Sequence, residues 1–176
     1  MSTPLINKVA ESALVTLDLE SLFPEQEIVA FDLKEFLFMG LILKEKDYRE
    51  ALKQYDWERF RNRQVAVFCS ADAVIPVWAF MLAAVYLNPV AAGVFFGKEE
   101  DLLAARYHEI IQTRINPEDY RGERVIIKGC SHKPVPVSAY VDIANRLRPV
   151  VKSLMYGEAC SNVPLFKEKA VLTQQP

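Results

Sequence analysis

FRNRQVAVFCSADAVIPVWAFMLAAVYLNPVAAGVFFG, residues 60–97, and YRGERVIIKGCSHKPVPVSAYVDIANRLRPVVKSLMYG, residues 120–157, align without a gap when the chain is shifted by 60 positions. Identical pairs are Arg61/Arg121, Val65/Val125, Pro76/Pro136, Val77/Val137, Ala79/Ala139, Ala84/Ala144, Leu87/Leu147, Pro89/Pro149, Val90/Val150 and Gly97/Gly157. These are ten identities in 38 positions, where about two or three are expected from average composition. The two stretches therefore read as two copies of one unit.

Each copy has the same order of signals. A β-branched run (Gln64 to Phe68; Arg124 to Lys128) predicts a strand that ends in a turn holding a Cys-Ser pair. A proline-started helical stretch follows (Pro76 to Leu87; Pro136 to Leu147), since the first helical N–H has no partner to lose. Asn88-Pro89 and Arg148-Pro149 then stop the helix. A second strand (Val94 to Phe96; Leu154 to Tyr156) is closed by Gly97 or Gly157. This is a βαβ unit, met twice.

The first copy has no charged residue from Ala73 to Phe96, long enough to cross a bilayer. Its partner in the second copy carries Asp142, Arg146, Arg148 and Lys152, which a bilayer span would not tolerate together. The apolar stretch is accordingly expected to be a helix and a strand buried inside a soluble domain, with no membrane contact. It also leaves room for a buried homodimer contact.

Outward from the copies, Lys98 to Arg114 places Leu102, Leu103, Ile110 and Ile111 at helical spacing, with acids first and a base last as the helix dipole prefers. It reads as an amphipathic crossover helix. The expected class is α/β: a mainly parallel sheet covered by helices on both faces. Ahead of the repeat, Leu14 to Leu19 alternates as a strand, with Glu27 to Phe31 as its expected partner. Helical pieces are expected around Leu33 to Leu43 and Lys46 to Trp57. The chain divides into an N-terminal β/α extension (1–57), the first copy (58–97), the crossover (98–117), the second copy (118–166) and a polar tail (167–176), all within one expected domain, 1–176.

Composition narrows the class. At 176 residues and 51% apolar content, the chain has enough interior to fold without disulfides. Lys plus Arg (21) nearly balances Asp plus Glu (23), and no block of five like charges occurs, which argues against nucleic acid as a partner. Three cysteines and no basic, apolar leader point to the reducing cytoplasm. Trp57, Trp78, Phe80, Tyr86, Phe95 and Phe96 come at helix and strand spacing and read as core, and His108 as a packing residue on the crossover helix. Nucleophile-elbow, phosphate-loop and dinucleotide fingerprints do not occur.

The candidate chemistry lies in the cysteines. Each is followed by serine with a proline close behind: Cys69-Ser70, Cys130-Ser131 and Cys160-Ser161. Parallel strands all end on one edge, where ligand sites form, and a thiol at a helix start is acidified toward thiolate. Convergence of Cys69, Cys130 and Cys160 would require a positive charge among them, which zinc or an iron-sulfur cluster supplies. His132 is the nearest residue for a fourth position, with Asp72 as the alternative. Ser70, Ser131 and Ser161 would then donate hydroxyl or backbone N–H bonds to the sulfurs. Two other readings stay open: a thiol enzyme or sulfur carrier in which one cysteine attacks and another resolves, and an interaction protein with three inert core thiols.

The phrases FMGLILKEKD (38–47), CSADA (69–73), KGCS (128–131) through KPVPVSAY (133–140) and GEACS (157–161) resemble the bacterial domain of unknown function 2480 family, over nearly the whole chain. The resemblance brings no established activity. Genes of that family lie beside those of an iron-sulfur assembly system, which implies iron-sulfur assembly proteins as partners and a role in making, carrying or using clusters. A looser similarity of arrangement is to quinolinate synthase, where three cysteines from repeated α/β units hold one cluster.

Overall fold

A computed structural model describes residues 14–129 and 132–168. The chain divides into two compact units, one formed by Met1–Phe23 with Tyr107–Pro176, the other by Pro24–Arg106.

The Pro24–Arg106 unit begins with strand β2 (Ile28–Asp32), the earlier β1 (Leu14–Asp18) belonging to the other unit. Helix α1 (Glu45–Gln54), strand β3 (Gln64–Phe68), helix α2 (Val77–Leu87) and strand β4 (Gly93–Phe96) complete it. The strands form one parallel sheet in the order β2-β3-β4. Its core gathers Phe31, Leu33, Tyr48, Leu52, Phe60, Val65, Val67, Ala79, Ala83 and Leu87. Trp57 and Tyr86 stack beside it with ring centres 5.2 Å apart, as the spacing predicts for core aromatics.

The chain passes to the other unit within helix α3 (Glu99–Arg114), which spans the predicted crossover. There β1 is joined by β5 (Arg124–Lys128), helix α4 (Val137–Leu147), β6 (Ser153–Glu158) and β7 (Ser161–Lys167). Strand order is β1-β5-β6-β7, parallel except for β7, which pairs antiparallel with β6. The buried residues include Leu17, Leu19, Tyr107, Ile111, Ile126, Ile143 and Leu147.

The α/β class and mainly parallel pairing are as expected, but the strands form two sheets rather than one. Each copy supplies two adjacent strands and takes its third from a different N-terminal strand: Ile28 of β2 lies on Gln64, and Leu14 of β1 on Arg124. The expected pairing of Leu14–Leu19 with Glu27–Phe31 is thus overturned. Both strands end in an aspartate, Asp18 or Asp32, whose carboxylate accepts the N–H two residues on and starts a 3-10 turn that buries Leu19 or Leu33. The helix expected over Leu33–Leu43 is only that turn, Leu33–Phe36, because Met39 and Gly40 have positive φ and fold the chain back in a bridge between Phe38 and Ile42.

Element boundaries recur at the shift of 60. β3 and β5, α2 and α4, and the 3-10 turns Trp57–Phe60 and Pro117–Tyr120 match end for end. The hydrogen bonds match as well: Ala92 N donates to Arg63 O and Lys152 N to Glu123 O, both at 2.8 Å. Arg61 and Arg121 owe their shared identity to the same ion pair, with Glu58 and Glu118 three residues earlier. Strand β7 has no counterpart in the other unit and was not predicted. Its Pro164 and exposed Asn162 resemble a loop in sequence, and an edge strand is where a sheet tolerates proline.

Candidate functional site

Cys69 follows β3 at the carboxyl end of its sheet, as predicted, and is half-buried against the core of its unit. Its Sγ lies 3.8 Å from the Ala71 carbonyl. Ser70 gives its bonds to an acid: its N–H and its hydroxyl both go to the Asp32 carboxylate, at 3.0 and 2.5 Å. Lys34 N–H adds a third bond at 2.9 Å. Burial pushes the Asp32 carboxyl up, yet the bonds from Ser70 and Lys34 outweigh it and hold it below the ordinary carboxylate range.

Cys160 is exposed in the two-residue turn of the β6-β7 hairpin, with Glu158 and Ser161 paired on either side. The residue after it opens β7, so among the described residues Cys160 does not stand at a helix start. Ser161 is the exposed first residue of β7. Cys130 and Ser131 lie outside the described residues. His132 donates its backbone N–H to Glu20 Oε1 at 3.1 Å, and Lys133 Nζ reaches the Glu20 carbonyl at 3.3 Å.

Among the described residues, no three His, Cys, Asp or Glu side chains gather into a group able to hold a metal ion. This overturns the reading of the chain as an iron-sulfur or zinc protein with Cys69, Cys160 and His132 among its ligands. The physical reason is local: Cys69 packs on an apolar core and Cys160 stands on an exposed hairpin tip. Cys69 and Cys160 are both free thiols and form no disulfide with each other.

The most unusual surface lies elsewhere. Helix α2 buries only Ala79, Ala83 and Leu87. Val77, Met81 and Val85, one turn apart along its outer side, are 74%, 64% and 67% exposed, and Phe96 at the end of β4 is 70% exposed. The expectation that this stretch is buried, Phe96 included, is therefore corrected. Val77, Phe80, Met81 and Phe96 surround a hollow of about 430 Å³ that presents no polar group. Phe80 meets Phe96 edge to face, ring centres 5.1 Å apart and planes at 82°, a geometry aromatic quadrupoles favour.

The other unit supplies an internal control. Tyr140 and Tyr156 make the same edge-to-face contact at 5.7 Å and 84°, and Val137 and Val141 are exposed like Val77 and Met81. Yet Asp142, Asn145 and Arg146 stand where α2 has Leu82, Val85 and Tyr86. Asp142 binds His108 Nδ1 at 2.9 Å, and Arg146 bonds the Ile115 carbonyl and Gln112 on α3. The same scaffold thus folds with a polar version of this helix. The charge-free run from Ala73 to Phe96 is the sequence signal for this face, since apolarity alone does not distinguish depth from exposure.

No helix among the described residues is long and apolar enough to cross a membrane. A family model described as "Protein of unknown function (DUF2480)" matches residues 3–168. No curated protein and no solved structure matches the chain.

Proposed function

We propose that this chain, which belongs to the DUF2480 family of proteins of unknown function, is a self-associating protein whose working surface is the apolar face of α2 and β4. The observation that carries this reading is the exposure of Val77, Met81, Val85 and Phe96 on a fold whose second copy manages with Asn145 and Tyr156 at two of those positions. Monomeric proteins seldom keep a contiguous apolar surface of this kind without a use for it. A second copy of the chain is the occupant best matched. The stretch from Ala73 to Gly97 carries no charge, so two copies meet without repulsion. A two-fold pairing buries the same patch on both sides, and Ala84 beside Met81 and Val85 leaves room for a close helix approach.

Sedimentation equilibrium on the full chain tests this. A dimer is expected at micromolar concentration, with Met81→Glu converting it to a folded monomer by desolvating a charge at the centre of the contact. Val141→Glu, at the equivalent position of the other unit, should leave the dimer intact. A monomeric parent protein, or a dimer indifferent to Met81→Glu, would overturn the reading.

A further inference from the structure

Arg124 and Ser153, the first residues of β5 and β6, and Lys167, the last residue of antiparallel β7, stand in register across three neighbouring strands. Directly paired residues project from the same face of a sheet. With Lys152 they line one side of a cavity of about 460 Å³, and Met155, Pro164 and Phe166 line the rest. None of Arg124, Lys152 and Lys167 has an ion-pair partner among the described residues. Among the described residues, no acidic side chain lines the cavity. Ser153 is 8% exposed, and its hydroxyl has no hydrogen-bond partner among the described residues. A buried hydroxyl left unpaired is destabilising, so this is a group the native fold would be expected to satisfy.

The other unit closes the equivalent place with its own side chains. The equivalents of Arg124, Lys152 and Ser153 are Gln64, Ala92 and Gly93. There the Gln64 amide lies over Gly93, so close that a Cβ would collide with its Oε1. Its Nε2 donates to Gln26 at 2.7 Å. The space is filled, neutral and hydrogen-bonded. In the first-named unit it is open, cationic and carries an unused donor.

We infer that this cavity is a binding site for an organic carboxylate with an apolar body, such as an alkyl carboxylate. Arg124 offers a fork of N–H donors matched to a carboxylate, and the Ser153 hydroxyl a further donor. Lys152 and Lys167 add charge, and Met155, Pro164 and Phe166 take the apolar chain. Few polar groups fixing one end of an otherwise apolar pocket is the usual composition of a small-molecule site. This inference stands apart from self-association, which uses the other unit.

Calorimetric titration of decanoate into the full chain tests it, with acetate and inorganic phosphate titrated alongside. Saturable one-to-one binding of decanoate is expected, weakened about tenfold or more by Arg124→Gln and by Lys167→Gln and further by added salt. Both side chains are exposed, so circular dichroism should find the variants folded. Ser153→Ala should weaken binding without altering its salt dependence. The inference is overturned if decanoate does not saturate, or if the charge variants bind it as the parent does. It is equally overturned if Met81→Glu abolishes binding, which would place the ligand on the α2 face. Phosphate binding as tight as decanoate would overturn the amphiphilic ligand.

Discussion

Ser70 donates its hydroxyl to Asp32 at 2.5 Å, and this bond fastens the carboxyl end of β3 to the carboxyl end of β2. Because the Asp32 carboxyl is held below its ordinary value of 3.8, its stabilising effect is present above that value and is lost as pH falls through the lower, folded-state value. Asp32→Asn should cost about 1 kcal/mol at pH 7. Urea midpoints measured from pH 7 to pH 3 should fall less steeply for the variant than for the parent. Parallel curves would mean that the clasp contributes nothing to acid stability.

Tyr107 makes the opposite case at high pH. Its buried hydroxyl donates to the Leu19 carbonyl at 3.2 Å, and burial, with Glu20 and Asp18 nearby, pushes its ionisation up to about 12. Tyr48 is placed alike in the other unit, donating to the Ala79 carbonyl at 3.0 Å, with burial pushing its hydroxyl up still further. A raised value means that the stabilisation is full below the ordinary tyrosine value of 10.0 and is lost as pH climbs toward the folded one. Tyr107→Phe should cost about 1 kcal/mol at neutral pH and flatten the loss of stability between pH 10 and pH 12. Thermal melts across that range provide the measurement.

Gly93 and Gln64 give a third prediction. Gly93→Ser puts a Cβ against the Gln64 amide and breaks its bond to Gln26, which should cost about 1–2 kcal/mol. Gln64→Ala made alone should also destabilise the protein, but the double variant should be less damaged than the sum of the two. A double-mutant cycle from urea unfolding reads the coupling directly. Additive effects would mean that the amide is not what excludes a side chain at position 93.

The elements of the repeat were legible because their signals are local: β-branched runs, Pro76 and Pro136 before the helices, Pro89 and Pro149 after them. Partner choice was not, since the alternation of Leu14–Asp18 says that a strand exists and nothing about Arg124, its distant neighbour. The three Cys-Ser pairs misled for a related reason. The same dipeptide follows a parallel strand at Cys69 and forms a hairpin tip at Cys160, so identical neighbours do not imply a shared place. Burial of Val77, Met81 and Phe96 was inferred from their apolarity, whereas exposure is decided by what packs against them.

The repeat also makes a backbone prediction that contacts alone would miss. Gly122 has φ +73 and open space around the position a Cβ would take. Its equivalent at the shift of 60 is Asn62, with φ +60. The cost of a side chain at 122 is therefore purely conformational, about 1–2 kcal/mol for alanine in the left-handed region. Asparagine tolerates that region far better, and the chain already uses it once. Gly122→Ala should lower stability by about 1 kcal/mol or more, while Gly122→Asn should stay close to the parent. Urea unfolding of the two variants separates strain from crowding: if asparagine, the larger residue, were the more damaging, sterics and not backbone conformation would govern this turn.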